Sequence, residues 1–159
     1  MNLNDLTVNF ADLDSRSIIT EWHWLTTASN VPILITLAGD AFLQNTESGA
    51  VSFLNTAECS LTEVAPDYDG FQSRLRERDF VMEHFCVEMM GPLLAENPQV
   101  PAHQLYSLKK PLLLGGEWDA SNLELADLEV HFSILGQVSR QVRDLPPGTA
   151  VGNVTIKDE

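Results

Sequence analysis

Short apolar runs joined by tight turns occupy residues 31–64 and set the strongest limit on the possible folds of this chain. The run at residues 31–37 is rich in β-branched side chains and ends at the turn pair Gly39-Asp40. More runs follow at residues 41–44, 51–54 and 61–64, with a further turn at Glu47-Ser48-Gly49. Runs of this length between turn residues are typical of β-strands. The segment therefore predicts an antiparallel meander with one face on a hydrophobic core.

Helical spacing predicts helices before and after the meander in the chain. Apolar residues recur at intervals of three and four over residues 11–26, which predicts an amphipathic helix with Trp22 in the core and Trp24 on a different face. Residues 79–94 predict another helix that bends or restarts at Gly91-Pro92, because a proline in a helix interior costs about 3 kcal/mol.

Two more helices are expected from their end signals. One begins near Gly70, where Asp67 or Asp69 can accept hydrogen bonds from the free N–H groups of the first turn. The last helix covers residues 131–145, and Pro146-Pro147-Gly148 stops it. Each of these helices therefore has a sequence signal for its start or its end.

Residues 105–128 predict two further strands on either side of a glycine turn. Residues 105–108 and 123–128 alternate as strands do. Gly115-Gly116 between them permits backbone angles that are closed to other residues, and Asn122 can close such a turn with its side chain. The tail at residues 151–156 is a candidate for a last short strand.

The length of the chain fits one domain. A protein of 159 residues buries about 68–70% of the surface that it would expose when unfolded, so it needs no metal or disulfide for stability. We therefore predict a single α+β domain over residues 1–159, a mostly antiparallel sheet meander packed against three to four helices. Cys59 and Cys86 lack the close spacing of zinc or redox sites and are expected to be buried thiols in a reducing compartment.

Acidic residues dominate the chain and limit what it can bind. The net charge is −14, and Arg16 is the only basic residue before Gly70. A field of this sign repels nucleic acid and anionic lipid and would steer a cationic protein to the surface, although solubility alone can also explain the charge. Residues 1–5 lack the features of a signal peptide, and no apolar stretch reaches the length of a membrane span. We expect a cytoplasmic protein that binds neither nucleic acid nor membranes.

Sequence patterns of catalysis and of metal or cofactor binding are missing. The four histidines are isolated from one another, without a His-x-x-x-His pair. Leu114-Gly115-Gly116 lacks the third glycine, or the Lys-Ser/Thr ending, that dinucleotide or phosphate binding requires. No Gly-x-Ser-x-Gly motif occurs. We therefore expect no catalysis, no cofactor and no metal site.

An ordered series of short motifs resembles a known family. The series is Trp22-His23-Trp24-Leu25, Gly39-Asp40, Tyr106-Ser107-Leu108-Lys109-Lys110-Pro111, Leu114-Gly115-Gly116, Asn122, His131-Phe132-Ser133-Ile134-Leu135-Gly136-Gln137 and Leu145-Pro146-Pro147-Gly148. It resembles the C-terminal domain family of type VI secretion immunity proteins, which is named for its place in the immunity partner of a secreted DNase. The resemblance covers about residues 14–148. Longer members carry an N-terminal region without a counterpart here, so we expect a stand-alone version of the domain.

The resemblance implies a bacterial cytoplasmic protein that binds one secreted effector toxin before the toxin harms its producer or siblings. It also implies that the recurring glycines, Asn122 and Gln137 are folding determinants. Glycine would form a turn that Asn122 closes, and Gly136 would allow a close packing of the last helix. The first hypothesis is therefore an immunity protein that neutralises its effector by covering the active site or another essential surface.

Acidic side chains are the candidate contacts with that effector. A rigid surface rich in carboxylates can occupy the basic cleft of a nuclease as a nucleic-acid mimic. We expect contacts from the acidic first half of the chain and from beside the Gly-Gly turn. The candidates are Asp40, Glu47, Glu58, Glu63, Asp67, Asp69, Glu117 and Asp119.

Two other classes of function stay open. A small-molecule or regulatory binding domain of the same fold would use an aromatic pocket lined by Trp22, Trp24, Tyr106 and Trp118. An enzyme would have to assemble its site from scattered residues such as His131 and Glu117, for which the sequence shows neither geometry nor a perturbed group.

Overall fold

A five-stranded antiparallel sheet is the main sheet of the protein in the computed structural model, which describes residues 1–146 and 149–157. Its strands lie in chain order: β1 (Thr7–Val8), β2 (Asn30–Thr36), β3 (Ala41–Asn45), β4 (Val51–Asn55) and β5 (Ser60–Ala65). Every neighbouring pair is antiparallel. The meander predicted over residues 31–64 is confirmed as β2 to β5, and β1 adds an edge strand that the sequence pattern did not indicate.

A two-stranded sheet and five helices complete the fold in the described part of the chain. β6 (Gln104–Leu108) pairs with β7 (Leu123–Asp127), as their alternation predicted. The helices are α1 (Ser15–Ile18), α2 (Tyr68–Arg74), α3 (Arg78–His84), α4 (Val87–Glu96) and α5 (Leu128–Val142). The predicted fold class is confirmed as an α+β single-domain arrangement, with five helices where three to four were expected.

An aromatic cluster connects the main sheet to the helices that follow it. The ring of Phe42 on β3 lies 4.9 Å from Phe53 on β4, 4.8 Å from Phe71 on α2 and 5.6 Å from Phe85, between ring centroids. All four side chains are buried. Because full burial of a phenylalanine contributes about 1.5–3 kcal/mol, this cluster holds α2 and α3 against the sheet.

The helix predicted over residues 11–26 is wrong. α1 ends after one turn at Ile18, and a 3-10 turn follows at Thr20–Trp22. Ile19 between them has φ −103° and ψ 15°, outside the helical range. This bend lets the rings of Trp22 and Trp24 stack at 5.7 Å between centroids, although one helix would have kept them on different faces. The core position predicted for Trp22 is confirmed.

The helix predicted over residues 79–94 is broken at a different residue from the one expected. α3 ends at His84, Cys86 adopts the left-handed conformation with φ +51°, and α4 begins at Val87. Pro92 lies inside α4. With the break at Cys86, Phe80 of α3 and Met90 of α4 are both buried, so core packing sets the position of the break.

Gly136 lets α5 lie directly against the Trp22 turn. A side-chain carbon placed at Gly136 would lie 2.7 Å from the carbonyl oxygen of Glu21. At the same contact, the indole N–H groups of Trp22 and Trp24 donate to the carbonyl oxygens of Phe132 (2.9 Å) and Gly136 (3.2 Å). The close helix packing expected at Gly136 is confirmed.

The last helix is displaced toward the N-terminus from its predicted range of residues 131–145. It begins at Leu128 and ends at Val142. Asp127 caps its start, because the Asp127 carboxylate accepts a hydrogen bond from the N–H of Val130 (3.0 Å). Of the predicted stop, Pro146-Pro147-Gly148, only Pro146 belongs to the described residues. Pro147 and Gly148 lie outside them.

Two glutamines of α5 hold the tail. Among the described tail residues 149–157 no strand forms, contrary to the prediction for residues 151–156. Instead, the side chain of Gln137 accepts a hydrogen bond from the N–H of Lys157 (2.7 Å) and donates one to the carbonyl oxygen of Lys157 (3.3 Å). The side chain of Gln141 likewise accepts from the N–H of Thr155 (3.0 Å) and donates to the carbonyl oxygen of Thr155 (2.6 Å). The distance between Gln137 and Gln141, one helical turn apart, therefore matches the distance between Thr155 and Lys157, which are alternate residues of the tail.

Candidate partner-binding site

The loop between β6 and β7 holds Trp118 at the surface. Gly115 has φ +91°, which glycine adopts without strain, and a side-chain carbon at Gly116 would overlap the carbonyl oxygen of Lys110. The side chain of Asn122 accepts from the N–H of Lys110 (3.0 Å) and donates to its carbonyl oxygen (2.9 Å). The predicted glycine turn and its closure by Asn122 are confirmed, and 39% of Trp118 is left exposed.

Trp118 borders a groove between this loop, the β4–β5 turn and α3. We call it the Trp118 groove. Its volume is about 430 Å³, and its lining includes Asp40, Glu58, Glu83 and His84. Glu58 and Glu83 are exposed, whereas only 4% of Asp40 is exposed. Asp40 therefore lies at the bottom of the groove and the two glutamates at its rim.

A second depression of about 650 Å³ adjoins the groove, and we call it the α3–α4 hollow. Its lining consists of Asp79, Met82, Glu83, Cys86, Glu88, Met89 and Trp118. Glu83, Cys86 and Trp118 belong to both linings. The groove and the hollow therefore form one continuous surface around Trp118.

This surface is acidic. Its lining includes Asp40, Glu58, Asp79, Glu83 and Glu88, and among the described lining residues there is no lysine or arginine. None of these five carboxylates takes part in an ion pair within residues 1–146 and 149–157. Negative charge without a local counter-ion, placed around an exposed tryptophan, attracts a cationic partner.

Asp40, unlike the other candidate contact residues, is nearly buried. Its Oδ1 accepts hydrogen bonds from the N–H (2.9 Å) and the hydroxyl (3.3 Å) of Thr56, and its own N–H donates to Thr36 Oγ1 (3.0 Å). Burial away from water raises the pKa of Asp40 to about 7, although the hydrogen bonds from Thr56 act in the opposite direction. The Trp118 groove, which Asp40 lines, gives a partner a route to this carboxyl.

His131 fixes the turn that carries Asp40. Its Nε2 lies 2.7 Å from the carbonyl oxygen of Gly39 and 3.3 Å from Thr56 Oγ1, and its Nδ1 lies 2.6 Å from Ser107 Oγ. Because a carbonyl oxygen can only accept, Nε2 carries the proton and Nδ1 accepts from the hydroxyl of Ser107. Burial lowers the pKa of His131 to about 4. In this structure, His131 therefore has a structural role.

The other predicted contact residues are exposed. They are Glu47, Glu58, Glu63, Asp67, Asp69, Glu117 and Asp119. Glu58 lines the groove, and Glu117 and Asp119 flank Trp118 in the loop. The remaining four lie toward the opposite end of β4, where the β3–β4 turn meets the end of β5. The structure therefore brings only part of the predicted set together.

Two of these exposed acids also stabilise local structure. Asp67 accepts from the N–H of Gly70 (2.7 Å), which confirms it as the cap of α2. Asp119 accepts from the N–H of Ser121 (2.9 Å), and the hydrogen bonds from Ser121 hold the pKa of Asp119 below its ordinary value. Each carboxylate is therefore oriented by the chain before any partner binds.

Sequence reasoning did not identify Asp79, Glu83 and Glu88. The four-residue spacing of Asp79 and Glu83 was an available signal, because it puts both carboxylates on one face of a helix. Glu88 lies beyond the break at Cys86. Its place beside the other two depends on that break, which the sequence pattern did not predict.

The predicted aromatic pocket does not form. Trp22 and Tyr106 are buried in the core. Trp24 stacks on Trp22 and donates its indole N–H to α5, whereas Trp118 lies in the groove. The four aromatic residues that were expected to line one small-molecule pocket are therefore divided between the core and the surface.

The described residues show no arrangement for metal binding. Within residues 1–146 and 149–157, no group of three or more His, Cys, Asp or Glu is placed to hold a metal ion. Cys86 lines both depressions, and burial raises the pKa of its thiol to about 12, so it is protonated at neutral pH. In the same part of the chain, no helix is both long and apolar enough to cross a membrane.

Comparison with curated proteins found no match. One domain family matches residues 65–139, under the description "T6SS immunity protein Tdi1, C-terminal". The matched region begins at the end of β5, contains α2 to α4 and the β6–β7 sheet, and ends within α5. It includes Glu83 and Trp118 of the groove. Residues 65–139 of the chain are therefore similar to the type VI secretion immunity family of the Tdi1 C-terminal domain.

Proposed function

We propose that this protein neutralises one type VI secretion effector by binding it through the Trp118 groove and the α3–α4 hollow. The match of residues 65–139 to the immunity family supports the immunity role. The observation that favours this surface is an exposed Trp118 among carboxylates, with no lysine or arginine in the described lining. Tryptophan is enriched at the energetic centres of protein interfaces, and charge complementarity speeds association and selects the partner.

A basic nuclease is the class of effector that this surface fits. Nucleases bind phosphates through cationic clefts, and an acidic surface seated in such a cleft would keep the substrate out. The net charge of −14 adds long-range attraction between the two proteins. The same charge repels nucleic acid and anionic lipid, so we keep the prediction that the protein binds neither. We also keep the prediction of a cytoplasmic location.

The test is rescue of cells from the cognate toxin, and a secreted-toxin gene adjacent to the gene of this protein is where to look for it. Expression of the toxin alone should kill, and co-expression of the wild-type protein should rescue. Trp118→Ala and the double variant Glu58→Lys/Glu83→Lys should fail to rescue. Affinity for the purified toxin should fall by about 2 kcal/mol or more in each, as for residues at an interface centre.

The matched control is Glu47→Lys/Glu63→Lys, which reverses the same number of exposed charges toward the opposite end of β4. This variant should still rescue. Thermal unfolding of all variants would show that the exposed substitutions leave the fold intact. Rescue by the groove variants, with loss of rescue in the control, would place the contact surface elsewhere.

A further inference from the structure

We propose that the Trp118 groove receives one arginine side chain of the bound effector, whose guanidinium group ends at the carboxyl of Asp40. This inference rests on the proposed function and adds the chemistry of the central contact. Its starting point is that Asp40 is nearly buried, whereas the glutamates at the rim are exposed.

Asp40 offers one oxygen to the groove. Its Oδ1 accepts both hydrogen bonds from Thr56, and its Oδ2 accepts none from the protein within residues 1–146 and 149–157. In those residues, every side-chain nitrogen or oxygen that is closed to solvent has a hydrogen-bond partner. The free Oδ2 must therefore reach open space, and the space next to Asp40 is the groove.

The carboxyl of Asp40 lacks a cationic neighbour. The charged groups that face the groove with it include the acids Glu58 and Glu83, and the described lining has no lysine or arginine. A buried charge without a partner is unfavourable, which agrees with the pKa of Asp40 near 7. A cation supplied by the effector would remove this penalty by pairing with the ionised carboxyl.

Arginine suits this groove better than a metal ion or a lysine. Its planar guanidinium has five N–H donors, so it can bind Asp40 at the bottom and still donate to Glu58 or Glu83. Trp118 provides an aromatic ring at the rim, on which a guanidinium stacks more favourably than an ammonium group. The described residues hold no three-ligand cluster for a metal.

Asp40→Asn tests the charge with little change of shape, because asparagine keeps an Oδ1 for Thr56. The probe is an inactive variant of the toxin used in the rescue test, with its Kd measured by calorimetry at pH 8. Asp40→Asn should weaken binding about thirtyfold or more, as for loss of one partner of a buried charge pair. Glu47→Gln makes the same change in net charge and should stay within about twofold of the wild type. Equal Kd values for Asp40→Asn and the wild type would overturn the inference.

The pH dependence of Kd identifies Asp40 as the responsible group. Free Asp40 is mostly protonated at pH 6 and ionised at pH 8, so wild-type binding should weaken about tenfold between pH 8 and pH 6. Asp40→Asn should lack this component. The wild type and Asp40→Asn share all other titratable groups at the groove, which are Glu58, Glu83, His84 and Cys86, together with His131 behind Thr56. The same pH dependence in both would contradict the role of Asp40.

Substitutions in the effector keep the test independent of how Asp40→Asn folds. When each surface arginine of the effector is replaced by glutamine, one substitution should reproduce the thirtyfold loss, and it should have no further effect with Asp40→Asn. If no arginine substitution gives this result but Trp118→Ala still fails to rescue, the inference about arginine is wrong and the proposed function stands. If Trp118→Ala and Glu58→Lys/Glu83→Lys both rescue, the proposed surface itself is wrong.

Discussion

Asp40 and His131 are single residues whose chemistry is changed by burial, and Thr56 connects them. Thr56 Oγ1 lies 3.3 Å from Asp40 Oδ1 and 3.3 Å from His131 Nε2. Burial raises the pKa of Asp40 from 3.8 to about 7 and lowers that of His131 from 6.5 to about 4. The folded protein therefore favours the neutral form of both side chains, whereas the unfolded chain favours both charged forms at about pH 5.

The two shifts should oppose each other in the pH dependence of stability. Between about pH 4 and pH 6.5, unfolding releases a proton from Asp40 and binds one at His131, so their contributions cancel. In Asp40→Asn, only the pKa shift of His131 remains. The stabilising contribution of this shift is present above pH 6.5 and is lost as pH falls toward 4. The free energy of unfolding of this variant should therefore drop by on the order of 2 kcal/mol from pH 8 to pH 5, as measured by urea unfolding.

The same experiment gives a second comparison at pH 8. There Asp40→Asn should be more stable than the wild type, because the ionised buried carboxyl is gone. Glu47→Gln, which changes an exposed acid, should follow the wild type at each pH. Parallel pH profiles for Asp40→Asn and the wild type would contradict the raised pKa of Asp40.

At the level of helices, two glycines lie in opposite environments. A side-chain carbon at Gly136 of α5 would lie 2.7 Å from the carbonyl oxygen of Glu21, whereas the nearest atom at Gly91 of α4 is Met1 Cε at 4.0 Å. Gly136→Ala should destabilise the protein by about 1–3 kcal/mol through overpacking. Gly91→Ala should leave stability unchanged or raise it by up to about 1 kcal/mol, because alanine favours helix. Urea unfolding of both variants measures this difference, and losses of equal size would contradict the contact at Gly136.

The contact between α5 and the tail predicts a local change in hydrogen exchange. Gln141 accepts from the N–H of Thr155 (3.0 Å) and donates to its carbonyl oxygen (2.6 Å). Gln141→Ala removes both bonds, so the Thr155 amide should exchange about thirtyfold faster, because two hydrogen bonds at about 1 kcal/mol each contribute about 2 kcal/mol. Hydrogen exchange followed by NMR measures this rate.

A control for that variant is available on another helix. Gln72 of α2 is exposed, and Gln72→Ala should leave exchange at Thr155 unchanged. The amides of α5 should keep their protection in both variants, because the helix ladder does not use these side chains. An unchanged Thr155 rate in Gln141→Ala would show that the glutamine does not hold the tail.

For the protein as a unit, the Trp118 groove joins two parts of the chain. Asp40 and Glu58 lie in turns between strands of the main sheet and precede the family-matched residues 65–139, whereas Glu83 and Trp118 lie inside them. The proposed binding surface is therefore only partly contained in the matched region. The extension of this one domain over all of residues 1–159 stays a prediction. It is supported by a hydrogen bond between β6 and the turn after β2, from the N–H of Tyr106 to the carbonyl oxygen of Leu37 (2.8 Å).

Features that depend on neighbours in the chain were predictable. Apolar runs and turns indicated β2 to β5. Short-range hydrogen-bonding chemistry indicated Asp67 or Asp69 as a cap, of which Asp67 is the one observed, and Asn122 as the closure of the Gly115 turn. The order and spacing of the short motifs also indicated the immunity family. These predictions hold because strand pleating, helix caps and turns are set by interactions over a few residues or by local backbone angles.

Features that depend on distant contacts were not predictable. The bends at Ile19 and Cys86 follow from packing against α5 and the sheet, not from local propensity. The acids could be counted in the sequence, but the burial of Asp40 requires Thr56, and its access to solvent requires the groove that Trp118 borders. Tertiary packing alone determines which carboxylate faces water and which faces a groove, because that depends on elements remote in sequence.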